Sequence, residues 1–233
     1  IFDFKQTCLG QEGKGWFDHS LPTADELKES IFQAHERADS IGVLSTIIEN
    51  HDEPRGVSHY IAEGPVNDTS KKALGTIQVL RKGIPFIYQG QEIGMENQVF
   101  ESVEDFDDIA TINGYHVAKE AGLSEEEALA VIANYSRDNA RTPMQWTREP
   151  GLGFSDGPAW LISPKPDYSI NVEDQEKDPD SILNYYRQLT ALYRHPLYGN
   201  TIRFGDMIPA YRDRENIIAF ERRGDKRLLV ISN

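Results

Sequence analysis

Only one cysteine, Cys8, stands in 233 residues. This excludes an intrachain disulfide and a site built on paired thiolates, and it suits a reducing, cytoplasmic setting. Basic residues are few: 24 against 38 acidic ones, for a net charge of −14. An acidic surface is not drawn to phosphate backbones or anionic lipid, so nucleic acid and membrane are set aside as partners. No apolar run approaches the ~20 residues needed to cross a bilayer, and no secretory leader pattern is read in the first residues. His19, His35, His59, His116 and His195 lack the spacing of metal ligands. The remaining composition, 39% apolar and 27% charged, is that of a globular protein. The length allows one large domain or one and a half ordinary ones.

Along the chain, strands and helices alternate. Residues 1–4 read as a strand with no lead-in. Thr23 with Glu26 forms a capping box, and Leu27, Ile31, Ala34, Ala38 and Ile41 follow at helical spacing until Gly42. Residues 43–48 are the next strand. A helix over 70–82, with Ala73, Leu74, Ile77 and Leu80 inward, ends at Gly83. Residues 85–88 form a third strand. The three strands begin at equal intervals and imply right-handed parallel crossovers, which suits a (β/α)8 barrel better than a sandwich.

The rhythm then breaks. Residues 89–157 read as a long, polar segment with one helix over 124–134, opened by a second capping box, Ser124 with Glu127. Loops of this length at the catalytic face of a barrel are usually functional. A strong helix over 181–194 carries Ile182, Leu183, Tyr186, Leu189 and Tyr193 on one face. Short alternating runs at 207–211, 216–221 and 227–232 read as antiparallel strands of an all-β domain. The expected organisation is residues 1–197 as the C-terminal portion of a barrel and 198–233 as the beginning of an antiparallel β domain. Three strands cannot close a barrel, so the chain is expected to be a fragment of a larger protein. The competing reading is a small, complete protein with an open three-stranded sheet.

Chemistry concentrates where residues 43–48 empty into Asn50-His51-Asp52-Glu53-Pro54-Arg55. A consecutive apolar run suits a parallel strand covered on both faces. Polar groups just past such a strand sit at the catalytic end of a barrel. Arg55 is expected to pair with a carboxylate rather than to touch a ligand, and Asn50 to support the turn. Trp146 and Met144 are read as loop core. The acidic run 101–108 lacks the alternating oxygens, mid-loop glycine and closing glutamate of a helix-loop-helix calcium site.

Four segments in series carry a resemblance. They are Glu49-Asn50-His51-Asp52-Glu53-Pro54-Arg55, Phe86-Ile87-Tyr88-Gln89-Gly90-Gln91-Glu92-Ile93-Gly94-Met95, Ser136-Arg137-Asp138-Asn139-Ala140-Arg141-Thr142-Pro143-Met144-Gln145-Trp146 and Ser181-Ile182-Leu183-Asn184-Tyr185-Tyr186-Arg187. Over nearly its whole length the chain resembles the α-glucosidases of the α-amylase family (glycoside hydrolase family 13), the oligo-1,6-glucosidase and dextran glucosidase group in particular. The resemblance implies strands six to eight of a (β/α)8 TIM barrel, an α-linked gluco-oligosaccharide as substrate, and a retaining mechanism with no cofactor. By resemblance Asp52 is the third carboxylate, accepting from hydroxyls beside the reacting carbon. His51 donates to a neighbouring hydroxyl. Arg137 supports the same subsite, with Arg141 competing for that role and one of the two ordering the loop through Asp138. Lys14, in Gly13-Lys14-Gly15-Trp16, falls at the next subsite. After Asp107-Asp108-Ile109 the chain has Ala110 where relatives commonly have glutamate, which leaves linkage preference open.

The same resemblance places the nucleophile and the acid/base before Ile1, so the missing N-terminal half of the barrel is an expected partner and the chain alone is expected to be inactive. The leading reading is release of glucose from the non-reducing end of isomalto-oligosaccharides (α-1,6 links). An α-1,4-glucosidase, a trehalose-6-phosphate hydrolase and a non-catalytic amylase-like scaffold remain as alternatives.

Overall fold

The computed structural model describes residues 2–61 and 64–233. Its helices start where short polar side chains can take up free N–H groups. In α1 (Ala24–Ala38) the Thr23 hydroxyl accepts from Glu26 N–H while the Glu26 carboxylate accepts from Thr23 N–H at 2.8 Å. The helix stops at Ala38, whose carbonyl takes the N–H groups of both Ile41 and Gly42. Ile41, expected on the apolar face, therefore lies beyond it and is exposed.

Three chain segments lie side by side as expected, but each is shorter than the apolar pattern suggests. Strand β1 (Ser45–Thr46) pairs in parallel with β2 (Ile84–Pro85), after the one-turn helix α2 (Gly56–Tyr60) and the longer α3 (Asp68–Leu80). Residues 1–4 contribute one parallel bridge, Phe2 to Ser45; Ile1 lies outside the described residues. Side chains also bond to the carbonyls at the strand ends. Gln78 donates to Thr46 O at 3.3 Å and to Phe86 O at 2.8 Å, and Arg81 and Gln6 both donate to Ile47 O. Leu44, Ile47 and Ile48 are buried, yet Phe2, Phe4, Ile84 and Phe86 are exposed. Helices cover one face of the strands, and the other presents a phenylalanine cluster, with Phe2 5.0 Å from Phe86 and 5.6 Å from Phe4.

The segment 89–157 holds more helix than the single one expected. Helix α4 (Ile109–Glu120) precedes α5 (Glu125–Tyr135), which is capped by Ser124 as read, and the single turn α6 (Asp138–Arg141) follows. Helix α4 escaped the periodicity reading because only Thr111 and Ala118 are fully buried along it. Its Gly114 marks a close approach: an added Cβ would lie 3.1 Å from the Trp16 ring. A short α7 (Val172–Lys177) leads to α8 (Ile182–Leu192), which packs Ile182, Tyr186 and Leu189 against Val79 of α3.

After α9 (Gly199–Phe204) comes an antiparallel sheet in the order β3 (Asp206–Ala210), β4 (Ile218–Arg223), β5 (Arg227–Ser232). Tyr211 and Asn216, expected in strands, have φ of 51° and 58° and belong to the turn between them. Ile218, Phe220 and Val230 of this sheet share one core with Leu27, Ile31 and Phe32 of α1 and Leu74 and Ile77 of α3. Burying each large side chain there contributes roughly 1.5–3 kcal/mol. Buried Arg222 ties the sheet to its neighbours by donating to Leu80 O and Gly205 O, each at 2.7 Å.

Candidate functional site

The loop between β1 and α2 is closed by a buried ion pair. Glu49 and Arg55 are both essentially inaccessible, with Arg55 Nη1 3.2 Å from Glu49 Oε1. The second Glu49 oxygen accepts from Gly56 N–H at 2.6 Å. Burial lifts the Glu49 carboxyl above its ordinary range, against the opposing pull of Arg55. Arg55 also donates to Gln89 O at 2.7 Å and lies over the Tyr88 ring, so it joins this loop to the one after β2. Gly90 permits that approach: φ is +90°, and a Cβ would lie 2.5 Å from the Met95 sulfur and 3.0 Å from Arg55.

With its ends pinned, the loop presents Asn50, His51 and Asp52. Asn50 Oδ1 accepts from Asp52 N–H at 2.7 Å, an Asx turn that aims the next side chain outward. His51 Nε2 lies 3.1 Å from Asp52 Oδ2. The other Asp52 oxygen receives two guanidinium donors, Arg137 at 3.2 Å and Arg141 at 3.0 Å. The two arginines are four residues apart, so the single turn of α6 projects both from one side. The sequence left the two competing for this place; both meet Asp52. Arg141 also donates to His51 O at 2.9 Å, and its Nη1 is 4.0 Å from Asp138.

Two further carboxylates hold this arrangement. Asp108 caps α4 through Thr111 N–H at 2.9 Å and receives Arg137 Nε at 2.7 Å. Burial alone would raise Asp108; the hydrogen bonds from Arg137 and Thr111 outweigh it and hold the carboxyl below its usual range. Asp138 accepts the N–H groups of Asp107 and Asp108 at 2.8 and 2.9 Å. The result is an alternation of acid and guanidinium around Asp52, beside a cleft of about 470 Å³ lined by Glu49, His51 and Asp52 on one side and by Phe2, Phe4, Phe86 and Tyr88 on the other.

The structure brings together Asn50, His51, Asp52, Arg55 and Arg137. Lys14 makes no recorded hydrogen bond or ion pair to them among the described residues. Lys14 is exposed in a loop that packs on α4 and α5, and among the described residues its recorded contact is a backbone N–H to Asp18 at 2.8 Å. Met144 is buried as expected, whereas Trp146 is half exposed rather than loop core. Asp108 was missed, having been read only within an acidic run; its Thr three residues on is the capping signal that marks it. Among the described residues no group of three or more His, Cys, Asp or Glu is arranged to hold a metal ion, and no helix is long and apolar enough to cross a membrane.

Glu53 was also passed over. It lines the same cleft, and burial pushes its carboxyl up to about 7, aided by the Asp52 charge and opposed by a Thr7 hydroxyl hydrogen bond. A folded value above the ordinary 4.5 means that its contribution to stability is complete below about pH 4.5 and is lost as pH rises through 7. Glu53→Gln, which stays neutral, is expected to gain about 2 kcal/mol over the parent chain at pH 8 and nothing at pH 4, after allowing for partial solvent screening. Urea midpoints at the two pH values measure this; a difference that does not grow with pH refutes it.

Parallel strands joined through helices, with polar side chains gathered just past the strand ends, fit the class of β/α barrels. Residues 1–197 match the family described as alpha amylase, catalytic domain, and the chain belongs to it. It is 36% identical over 237 residues to the probable oligo-1,6-glucosidase 2 of Bacillus subtilis (strain 168), an alignment spanning all of this chain and 41% of that protein. It is 38% identical over 239 residues to the glucan 1,6-alpha-glucosidase of Streptococcus pneumoniae serotype 4, covering 100% of this chain and 44% of that one. Among solved structures, trehalose-6-phosphate hydrolase from Bacillus licheniformis superposes with a TM-score of 0.89 at 33% identity, over 99% of this chain and 41% of the other. The chain therefore spans about two fifths of the length of the relatives it matches.

Proposed function

We propose that the chain supplies the third-carboxylate wall of a retaining α-glucosidase that releases glucose from the non-reducing end of short α-1,6-linked gluco-oligosaccharides in the cytoplasm. The nucleophile and the acid/base of such an enzyme belong to the other part of the barrel. The observation that carries the reading is Asp52 with two guanidiniums on one oxygen and His51 on the other.

A carboxylate has about four acceptor positions. Arg137 and Arg141 fill those of Oδ1. Oδ2 has His51 Nε2 3.1 Å away, and the His51 side chain is 68% exposed. With His51 donating to a neighbouring sugar hydroxyl, Oδ2 can accept from two adjacent hydroxyls. As positive charge develops at the ring carbon in an oxocarbenium-like transition state, an oriented negative charge beside it is worth more than in the ground state. The arginines hold that carboxylate in place. Both are already committed to carboxylates, which argues against their serving as a phosphate pocket and favours a neutral oligosaccharide over a phosphorylated one.

The test is an assay of the whole open reading frame that carries this chain, on isomaltose, maltose and trehalose 6-phosphate, with the anomer of the released glucose followed by proton NMR. Turnover is expected to be fastest on isomaltose, with α-glucose appearing first. β-Glucose as the first product, or no turnover of any of the three, overturns the proposal.

A further inference from the structure

Trp160 is held in a way that its packing does not account for. The side chain is 68% exposed, although its neighbour Leu161 is buried at 3% and anchors the backbone. The indole N–H donates to Asp107 Oδ2 at 3.0 Å. The polar edge of the ring is thus satisfied and its orientation fixed, while its faces remain open. Tryptophan is seldom left in this state, because its apolar area is the largest of any side chain and gains most from contact.

Its position relative to Asp52 follows from the hydrogen bonds. Asp107 N–H and Asp108 N–H are both held by the buried Asp138 carboxylate. Asp108 holds Arg137, and Arg137 reaches Asp52. Trp160 is therefore fastened to the same scaffold of carboxylates and arginines that orients Asp52, one link further out. The next stretch of that wall, at the start of α4, offers exposed Ile109 and Ala110, neither of which can hydrogen-bond through its side chain. Asp107 does have that capacity: it is exposed, and among the described residues one of its carboxylate oxygens is engaged, by Trp160.

We propose that Trp160 and Asp107 form a subsite for the second or third glucosyl ring of the oligosaccharide, the indole face stacking on the apolar C–H face of the sugar and the free Asp107 oxygen accepting from a ring hydroxyl. A pyranose has an apolar face bordered by hydroxyl donors, and an aromatic plane beside an acceptor matches both. The inference rests on the glucosidase reading, since it assumes that the first ring sits at Asp52. Trp160 acts on chain-length preference and does not touch the reacting carbon.

The titration uses the whole open reading frame that carries this chain, with its nucleophilic carboxylate replaced by the amide so that sugars bind without turnover, and the indole N–H signals of Trp16, Trp146 and Trp160 in a nitrogen-15 spectrum are assigned through single Trp→Phe variants. Titration with isomaltotriose is expected to move the Trp160 signal together with the Arg137 Nε–H signal, while Trp16, which packs on Gly114 and Tyr135, stays in place. Methyl α-glucoside is expected to move Arg137 alone. Trp160→Ala, at an exposed position that leaves the fold intact, is expected to weaken isomaltotriose binding about 3–10-fold, the range of an aromatic contact, and to leave methyl α-glucoside binding unchanged. Trp160→Phe, which keeps a stacking face, restores part of the loss. If Arg137 responds to isomaltotriose but Trp160 does not, or if Trp160→Ala binds the trisaccharide as the parent does, the subsite is refuted and the glucosidase reading stands. If no sugar moves any of these signals at the highest soluble concentration, both fall.

Discussion

Arg55→Met, made alone, is expected to destabilise the chain by about 3–5 kcal/mol, the largest stability loss predicted for any single side chain of the site. The substitution keeps roughly the length and apolar volume of the arginine stem but leaves Glu49 buried with only Gly56 N–H as partner. Breaking a buried pair from one side costs more than the pair is worth, because the remaining charge has no water to return to. Replacing both residues, Glu49→Leu with Arg55→Met, is therefore expected to recover most of the loss. Urea denaturation of the parent, the two single variants and the double variant completes the cycle. A single variant costing under about 1 kcal/mol, or a double variant no better than Arg55→Met, would show that the pair does not clamp the loop.

Asp52→Asn addresses the chemistry. In the whole enzyme it is expected to lower kcat by about 10²–10³-fold, the range seen when one oriented group facing a developing charge is removed. The effect belongs mainly in kcat, with a smaller change in KM, because the hydrogen bonds concerned strengthen as the sugar ring flattens. Asparagine retains the shape but loses the charge, and its NH2 group would face the donors of Arg137 and Arg141 or His51. Thermal stability is expected to change little, since the Asp52 side chain is 51% exposed. A variant that keeps a tenth or more of parental kcat would remove Asp52 from the catalytic role proposed for it.

How much of this could be read in the sequence depended on how local each feature is. Thr23 and Ser124 announced their helices because a cap and its partner lie three residues apart. Apolar residues at 43–48 and their spacing from 85–88 identified parallel strands, but the strand lengths were overcalled, because an apolar run does not show how many of its residues find a ladder partner. Helix α4 was hidden by Gly114 and by a weak stripe. Asp52, His51 and Arg137 were found through motif resemblance. The pairing of Asp52 with both Arg137 and Arg141 spans more than 80 residues and was not legible.

The alternation of acids and arginines around Asp52 also bears on the entropy of binding. An arginine side chain free in solution carries about 2 kcal/mol of rotamer freedom. Arg137 and Arg141 have surrendered theirs already, to Asp108, Asp52 and the His51 carbonyl. A ligand reaching this wall meets guanidiniums that are ordered before it arrives, so the disorder lost on binding falls mainly on His51 and on the ligand itself.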